Sequence, residues 1–474
     1  MRVEMGNVNV KVVSATVDEL AWLQHFLGVP DANTKFVAKS VPLFNSMYST
    51  FPSGLLSMVQ DEAKSQGFKV DVLDRRVRPC IPNFRDADLA WLSGFQDDAV
   101  EAGALAERGV FDCPTASGKG EIIAALTAVI DCPWLILAHR SSIVEELANR
   151  IELRTGERPA TVTANSYPRV LPRITVAMLQ TLSAGLKAKD KRAEFVVTNA
   201  RAVGCDEAHV LPAITFSRVM RAAKNAYYRF GFSGTPYARG DKRGIIVVAH
   251  VGPTIYKIEN SVLIAEGHVA RGFIRMKQFM HTPSTLATWD AVYEEKIVRN
   301  AARNALIVDL AAQAQKPAMI SVHSLAHGHA LVEALQARGV ASTFVYGKRT
   351  PQQREAEVRR LEHGDIDVIV CNEVFQEGVN IPTLTTLINA SARKAVIPVA
   401  QFTGRVARRR GRDGAVVKDE FFVYDFLDRG CGCYFRRKDS DERWFRHRSC
   451  RWLETHADER QSTYTALGHS VSYF

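Results

Sequence analysis

The sequence contains no run of about 18 apolar residues, the length an α-helix needs to cross a bilayer, so no membrane span is expected. Its first stretch, "MRVEMGNVNVKVV", lacks the apolar core of a secretory signal. An intracellular setting is therefore expected, the host cytoplasm if the chain is phage-encoded. Cysteine is scarce, with eight residues thinly spread through a chain of 474. A chain of that size needs no covalent staples, so the cysteines read as reduced thiols and a disulfide framework is excluded. No internal repeat or low-complexity tract is visible, which excludes solenoids and disordered arrays.

What is present is ordinary apolar content, 46%, in a chain long enough for two or three cores. The formal net charge is +10, which favours a polyanionic partner, nucleic acid above all. The charge gathers in "RVARRRGR" (405–412) and "RRKDSDERWFRHRSCRW" (436–452), beside Tyr434, Phe435, Trp444, Phe445 and Trp452. Arginine interleaved with aromatics suits phosphate contact and base stacking; for any single residue, a solvated helix face is an equal alternative. Cys431, Cys433, His447 and Cys450 are residues of zinc-ligand type, but their spacing is not that of a standard finger. Buried thiols near a basic tail are the simpler reading.

Short β-like runs ("VNVKVVSA", "KFVAK", "FKVDVLD") alternate with helix-like runs over the first 80 or so residues, predicting a small α/β module at 1–85 with "RRVRPCIPNF" as its exit. From residue 86 the pattern becomes βαβα, with apolar runs at 109–113, 134–138, 174–178, 202–206 and 230–234. It weakens at 251–290, read as a crossing between domains, and resumes over 291–428 with runs at 318–322, 342–346, 367–371 and 384–389. Apolar strands alternating with amphipathic helices predict parallel sheets covered on both faces. The fold class expected is α/β: two tandem RecA-like parallel-sheet domains, 86–250 and 291–428, behind a small N-terminal module. A basic extension follows at 429–474.

"CPTASGKG" (113–120) lies between a predicted strand and a predicted helix. In that context backbone N–H groups and the helix N-terminus face phosphates, and Lys119 neutralises β and γ oxygens. A phosphate loop ordinarily places Ser or Thr after the lysine, where the hydroxyl grips Mg2+; here the residue is Gly120. Some 90 residues later "AVGCDEAH" (202–209) ends an apolar run in two carboxylates. Asp206 at the strand tip is placed to hold Mg2+, and Glu207 to orient and deprotonate the attacking water.

These two stretches together resemble the superfamily 2 helicases and translocases, and seven further motifs follow in order. "FQDDAV" (95–100) resembles the adenine-reading segment, with Phe95 and Gln96 at the base. "LILAHRSSIVEEL" (135–147) and "VAMLQTL" (176–182) resemble motifs Ia and Ic, which implies DNA contacts at His139, Arg140, Gln180 and Thr181. "FSGTP" (232–236) resembles motif III, implying coupling of the two sites through Ser233, Gly234 and Thr235 together with His209. "MISVHS" (319–324) resembles motif IV, with DNA contacts at His323 and Ser324. "VFQEGVNIP" (374–382) resembles motif V, with Gly378 at ATP, and "QFTGRVAR" (401–408) resembles motif VI, with Gln401, Arg405 and Arg408 as catalytic residues. The likeness also implies that Pro114, Thr115, Ala116, Ser117, Gly118, Lys119, Gly120 and Glu121 hold ATP.

The mechanism so implied places ATP between two RecA-like domains, with Lys119, Asp206 and Glu207 from one and arginine fingers from the other. ATP and Mg2+ are the expected cofactors. "RAARNALIVDLAAQAQKPAMISVHS" resembles the branch of restriction-enzyme translocases and the repair helicase XPB. The module in front is similar to phage recombination helicases of the UvsW type, which remodel branched DNA by fork regression, branch migration and R-loop unwinding. A DNA helicase or translocase on branched or forked duplex is thus expected, a monomer with recombination or replication proteins as possible partners. Alternatives are an RNA helicase, a non-hydrolysing ATP-gated DNA clamp, for which only Gly120 argues, and an ATPase acting on protein.

Overall fold

The computed structural model describes residues 1–30, 40–164, 166–237, 244–282, 286, 288–347, 349–372, 381–394, 396–411, 415–430, 434–436, 444–446 and 448–474. The run "KFVAK", Gly378, Cys431, Cys433 and His447 lie outside the described residues, as does the side chain of Cys450. The chain divides into two compact units, Met1–Pro114 with Gly118–Ile258, and Thr115–Ser117 with Glu259–Phe474.

The first unit carries a seven-stranded sheet in the order Thr254–Lys257, Arg108–Asp112, Tyr228–Ser233, Ala202–Asp206, Trp134–Ala138, Ile174–Met178, Ala160–Val162. Every pairing in it is parallel. Its inner strands are buried because helices cover both faces: all five residues of Trp134–Ala138 and all six of Tyr228–Ser233, Arg229 and Ser233 included, are buried. One face packs Leu135, Leu137, Val203 and Cys205 against Leu179, Leu182, Val196 and Val219 from the helices.

The N-terminal residues form a four-stranded sheet, Thr50–Pro52, Asn9–Ser14, Arg2–Met5, Asp71–Asp74. Its strands alternate buried and exposed residues, as in Asn9–Ser14, because only one face is covered. That face is completed by the larger sheet's own helix Ile245–Val251: Val248 and Ala249 belong to the same core as Val3, Val10, Phe51 and Leu55. The approach is so close that a Cβ at Gly54 would lie 2.0 Å from the Val248 carbonyl oxygen. Arg108, 8% exposed at the start of the phosphate-loop strand, donates to Ser53 Oγ (2.7 Å) and the Asn7 carbonyl (2.9 Å). The exit segment is pinned too, by Arg76 and Arg78 on Glu107 and by the Tyr228 hydroxyl on the Cys80 carbonyl (2.7 Å).

The second unit carries another all-parallel seven-stranded sheet: Ser342–Val345, Val368–Cys371, Ala318–Ser321, Thr386–Asn389, Glu420–Arg429, Arg271–Met280, Ser470–Tyr473. The weakly patterned segment 251–290 contains a strand of each large sheet, Thr254–Lys257 of the first and Arg271–Met280 of the second. The C-terminal residues are likewise built in: helix Arg448–Ala466 packs on strand Glu420–Arg429, and Ser470–Tyr473 pairs with Arg271–Met280. Among the described residues no helix is long and apolar enough to cross a membrane.

Candidate nucleotide and nucleic-acid site

In a parallel sheet the carboxyl ends of all strands fall on one edge, and loops leaving that edge form the binding crevice. In the first unit these ends are Asp112, Ser233, Asp206, Ala138 and Met178, set side by side by the register: Ser233 opposite Asp112, Phe232 opposite Asp206, Met178 opposite Ala138. Residues from five separate stretches of sequence are thereby brought to one edge.

The phosphate loop leaves strand Arg108–Asp112 and enters helix Lys119–Val129. Ala116 and Gly118 have φ of 73° and 78°, left-handed values that curl the backbone and turn successive N–H groups to one side. The Lys119 ammonium is folded back on the Cys113 and Pro114 carbonyls, 3.3 Å from each. Two glycines keep the loop open to close neighbours. A Cβ at Gly118 would lie 2.4 Å from Gln96 Nε2, and one at Gly234 would lie 3.0 Å from Pro114 Cα. The adenine-reading candidate Gln96 and motif III glycine thus both touch the loop. Gln96 also accepts from the Ser93 N–H (3.1 Å), closing a capping box at the start of helix Gly94–Ala106, and the Phe95 carbonyl accepts from the Tyr256 hydroxyl (2.7 Å).

Asp206 ends its strand, and Glu207 follows with φ 53° and ψ 55°, a strained conformation for a side chain of its size. His209 Nδ1 lies 3.3 Å from the Glu207 carboxylate and 3.2 Å from Ser233 Oγ, and Ser233 Oγ in turn accepts from the Thr235 N–H at 3.2 Å. One chain of contacts therefore runs from Glu207 to motif III. Burial, then the charge of Glu207, pushes the Asp206 carboxyl up to about 6. Burial also acts to raise Glu207, but the hydrogen bond from His209 and the charges of Lys119 and His139 outweigh it and hold it low, at about 2. A nucleotide with magnesium fits these residues: the buried Asp206 carboxylate, raised by burial and by Glu207, would be relieved by a cation, and Lys119 is within electrostatic reach of both acids.

Farther along the edge the Gln180 amide donates to the His139 carbonyl (2.8 Å), joining motifs Ia and Ic. Arg140 immediately precedes helix Ser141–Thr155, and Gln180 and Thr181 lie in the first turn of helix Leu179–Lys187. Gly120 and Glu121 pack against the helix that follows. Glu121 is held by Arg150 (2.5 Å) and Arg154 (2.8 Å), and the space beside Gly120 is taken by the Arg150 stem. No pattern in the sequence marks that pairing, since Glu121 and Arg150 are 29 residues apart.

In the second unit His323 follows strand Ala318–Ser321, and Ser324 caps helix Leu325–Ala337. Arg393 Nη1 lies 3.0 Å from His323 Nδ1, and the Tyr293 ring stands edge-on to it at 5.9 Å. Arg393 carries no motif, and its one sequence signal is the basic pair Arg393–Lys394 just past a strand. Gln401 and Arg405 lie on helix Val396–Val406, and Arg408 follows in an isolated bridge with Val269. Among the described residues no group of three or more His, Cys, Asp or Glu could hold a metal ion.

A family model for the type III restriction enzyme res subunit matches residues 86–238, and one for the helicase conserved C-terminal domain matches 302–410. The chain is 22% identical over 366 residues to the DNA 3'-5' translocase XPB2 of Sulfurisphaera tokodaii, spanning 69% of this chain and 81% of that protein. It is 24% identical over 357 residues to the ATP-dependent DNA helicase uvsW of Enterobacteria phage T4, spanning 70% and 68%. Among solved structures, S. cerevisiae Dbp5 bound to RNA and ADP BeF3 shares the fold, with TM-score 0.50 at 12% identity over 80% of this chain and 90% of that one. The two matched segments fall one on each seven-stranded sheet, in the order the motifs take along the chain, and with these relatives they identify it as a superfamily 2 helicase with UvsW-like similarity.

Proposed function

We propose that this helicase hydrolyses ATP to move along or remodel DNA, with forked or branched duplex as its substrate and recombination or replication proteins as partners. The observation that carries the reading is the shared strand edge: Lys119, Asp206 with Glu207, Gln180 and His139 come from separate stretches and follow strand ends on one edge of one sheet. Lys119 neutralises phosphate oxygens. Glu207 holds the attacking water and takes its proton, its carboxylate being ionised and oriented by His209. Magnesium at Asp206 would neutralise the β and γ oxygens. Arg405 and Arg408 supply positive charge to the γ-phosphate in the transition state, a contribution worth about 10³–10⁵ in rate in phosphoryl transfer. The chain His209–Ser233–Thr235 carries the state of the nucleotide to the residues at His139 and Gln180. In this reading residues 1–85, 86–250, 291–428 and 429–474 act as N-terminal module, first and second RecA-like domains and basic extension.

DNA is favoured over RNA because XPB2 and uvsW, which span 69% and 70% of this chain, are named as DNA enzymes. The test is ATPase and unwinding on single strand, duplex, fork, four-way junction and RNA–DNA hybrid, with single-stranded RNA as the other arm. Strongest stimulation by the fork and junction is expected. Stimulation by RNA alone would move the protein to the RNA helicases, and nucleotide binding without turnover on any substrate would make it a clamp.

A further inference from the structure

Gly120 stands where the hydroxyl of a phosphate loop is normally found. A Cβ built there would lie 2.8 Å from Cδ and 3.0 Å from Nε of Arg150. The stem of Arg150 thus occupies the ground a Ser or Thr side chain would take. The arginine is held there: its Nη1 donates to Glu121 Oε1 (2.5 Å), while Arg154 Nε donates to Glu121 Oε2 (2.8 Å). Glu121 is 14% exposed and the arginines about a third, so solvent screens the cluster only in part. Arg154 also lies over the Trp91 ring, 4.8 Å from its centroid, two residues before the Ser93 cap of the Gln96 helix. One cluster therefore gathers the first turn of the phosphate-loop helix, the helix that starts at Arg140, and the approach to Gln96.

We propose that Arg150 and Arg154, gripping Glu121, seat the first turn of the phosphate-loop helix in place of the usual hydroxyl-to-magnesium tie, and that Gly120 is the residue this arrangement requires. The proposal rests on the reading of the loop as a nucleotide site. Where a Ser or Thr is present, the metal binds the helix start to the phosphates only once nucleotide arrives. Here two guanidinium groups on one carboxylate fix the helix start beforehand, and an acidic group in the first turn also suits the helix dipole. The loop is consequently organised without metal. Arg150 is a positioning residue, and because its helix begins at Arg140 it ties the loop rigidly to the motif Ia end of the edge.

The test is equilibrium binding of a fluorescent ATP analogue, once in EDTA and once in Mg2+, together with thermal melting. Wild type is expected to bind in both conditions. Arg150→Ala is expected to weaken binding in EDTA by about tenfold, as for loss of one partly buried charge pair, and binding in Mg2+ much less. Gly120→Ser alone should weaken both, because its side chain meets the Arg150 stem, whereas Gly120→Ser with Arg150→Ala should recover binding in Mg2+ only. Glu121→Gln, which keeps the shape, serves if the alanine variant folds poorly, and it should weaken binding in EDTA selectively as Arg150→Ala does. Equal weakening in EDTA and Mg2+ by Arg150→Ala, or by Glu121→Gln where it stands in, or a lower melting midpoint with unchanged binding in EDTA, would make the cluster helix packing only and overturn the proposal. Absence of nucleotide binding by wild type in both conditions would instead overturn the nucleotide reading itself.

Discussion

At the scale of single residues, the backbone decides as much as the side chains. Glu207 sits at φ 53°, where a glutamate is strained by roughly 1–3 kcal/mol, and its neighbours His209 and Ser233 keep it there. Glu207→Gln retains the shape but cannot accept a proton. Turnover is expected to fall by about 10²–10⁴ with nucleotide binding little changed, as read by ATPase rate beside nucleotide titration. Near-normal turnover would remove Glu207 from the chemistry. Arg405→Ala and Arg408→Ala should likewise reduce hydrolysis far more than DNA binding. Equal loss of both would point to DNA contact.

At the scale of elements, the C-terminal helix Arg448–Ala466 is the clearest case of tertiary structure giving meaning to a charged segment. Arg460, 1% exposed, donates to both oxygens of Asp425 (3.1 Å each) and to the Phe426 carbonyl (2.7 Å). Asp425 also accepts from Tyr464 (2.8 Å) and Asn389 (2.9 Å). Beside it Asp428 is held by Arg303 (2.9 Å) and His281 (2.8 Å). Burial alone would raise the Asp428 carboxyl, but Arg303, His281 and Arg460 outweigh it and hold it well below the usual carboxylate range. These groups satisfy one another only as a set, so removing one leaves a buried charge unpaired. Arg460→Met is expected to cost about 3–5 kcal/mol, measured by denaturant melting. Deleting residues 448–474 should unfold the second unit, not merely weaken DNA binding. A truncated chain that melts like the full one would refute this.

At the scale of the whole molecule, buried histidines set the acid limit of stability. His250 in the first unit and His327 in the second are each pushed down to about 3, by burial first and then by Arg229 and Arg303 respectively. His456 and His469 are pushed down to about 4, chiefly by burial. Unfolded, each takes a proton near pH 6.5. Their contribution is therefore full above about 6.5 and is lost as pH falls through the window between that value and 3 to 4, at about 1.4 kcal/mol per histidine per pH unit. The melting midpoint should drop between pH 7 and pH 5, with a shallower slope in His327→Asn. A midpoint flat over that range would contradict the burial.

Much was legible in the chain itself. Continuous apolar runs such as "WLILA" and "ITVAM" predict inner strands of a covered parallel sheet, and residues 134–138 and 174–178 are such strands. Motif order along the chain indicated the family, because each motif is a local stretch whose backbone and side chains act together. Strands Arg271–Met280 and Ser470–Tyr473 escaped that reading, since a strand with residues open to solvent mixes polar with apolar positions and is weak as a pattern. The doubt over Gly120 shows the same boundary. Residue type alone marks a missing hydroxyl. Only the tertiary structure brings Arg150, from another helix, into the vacated space, because contacts between helices follow from packing and not from spacing along the chain.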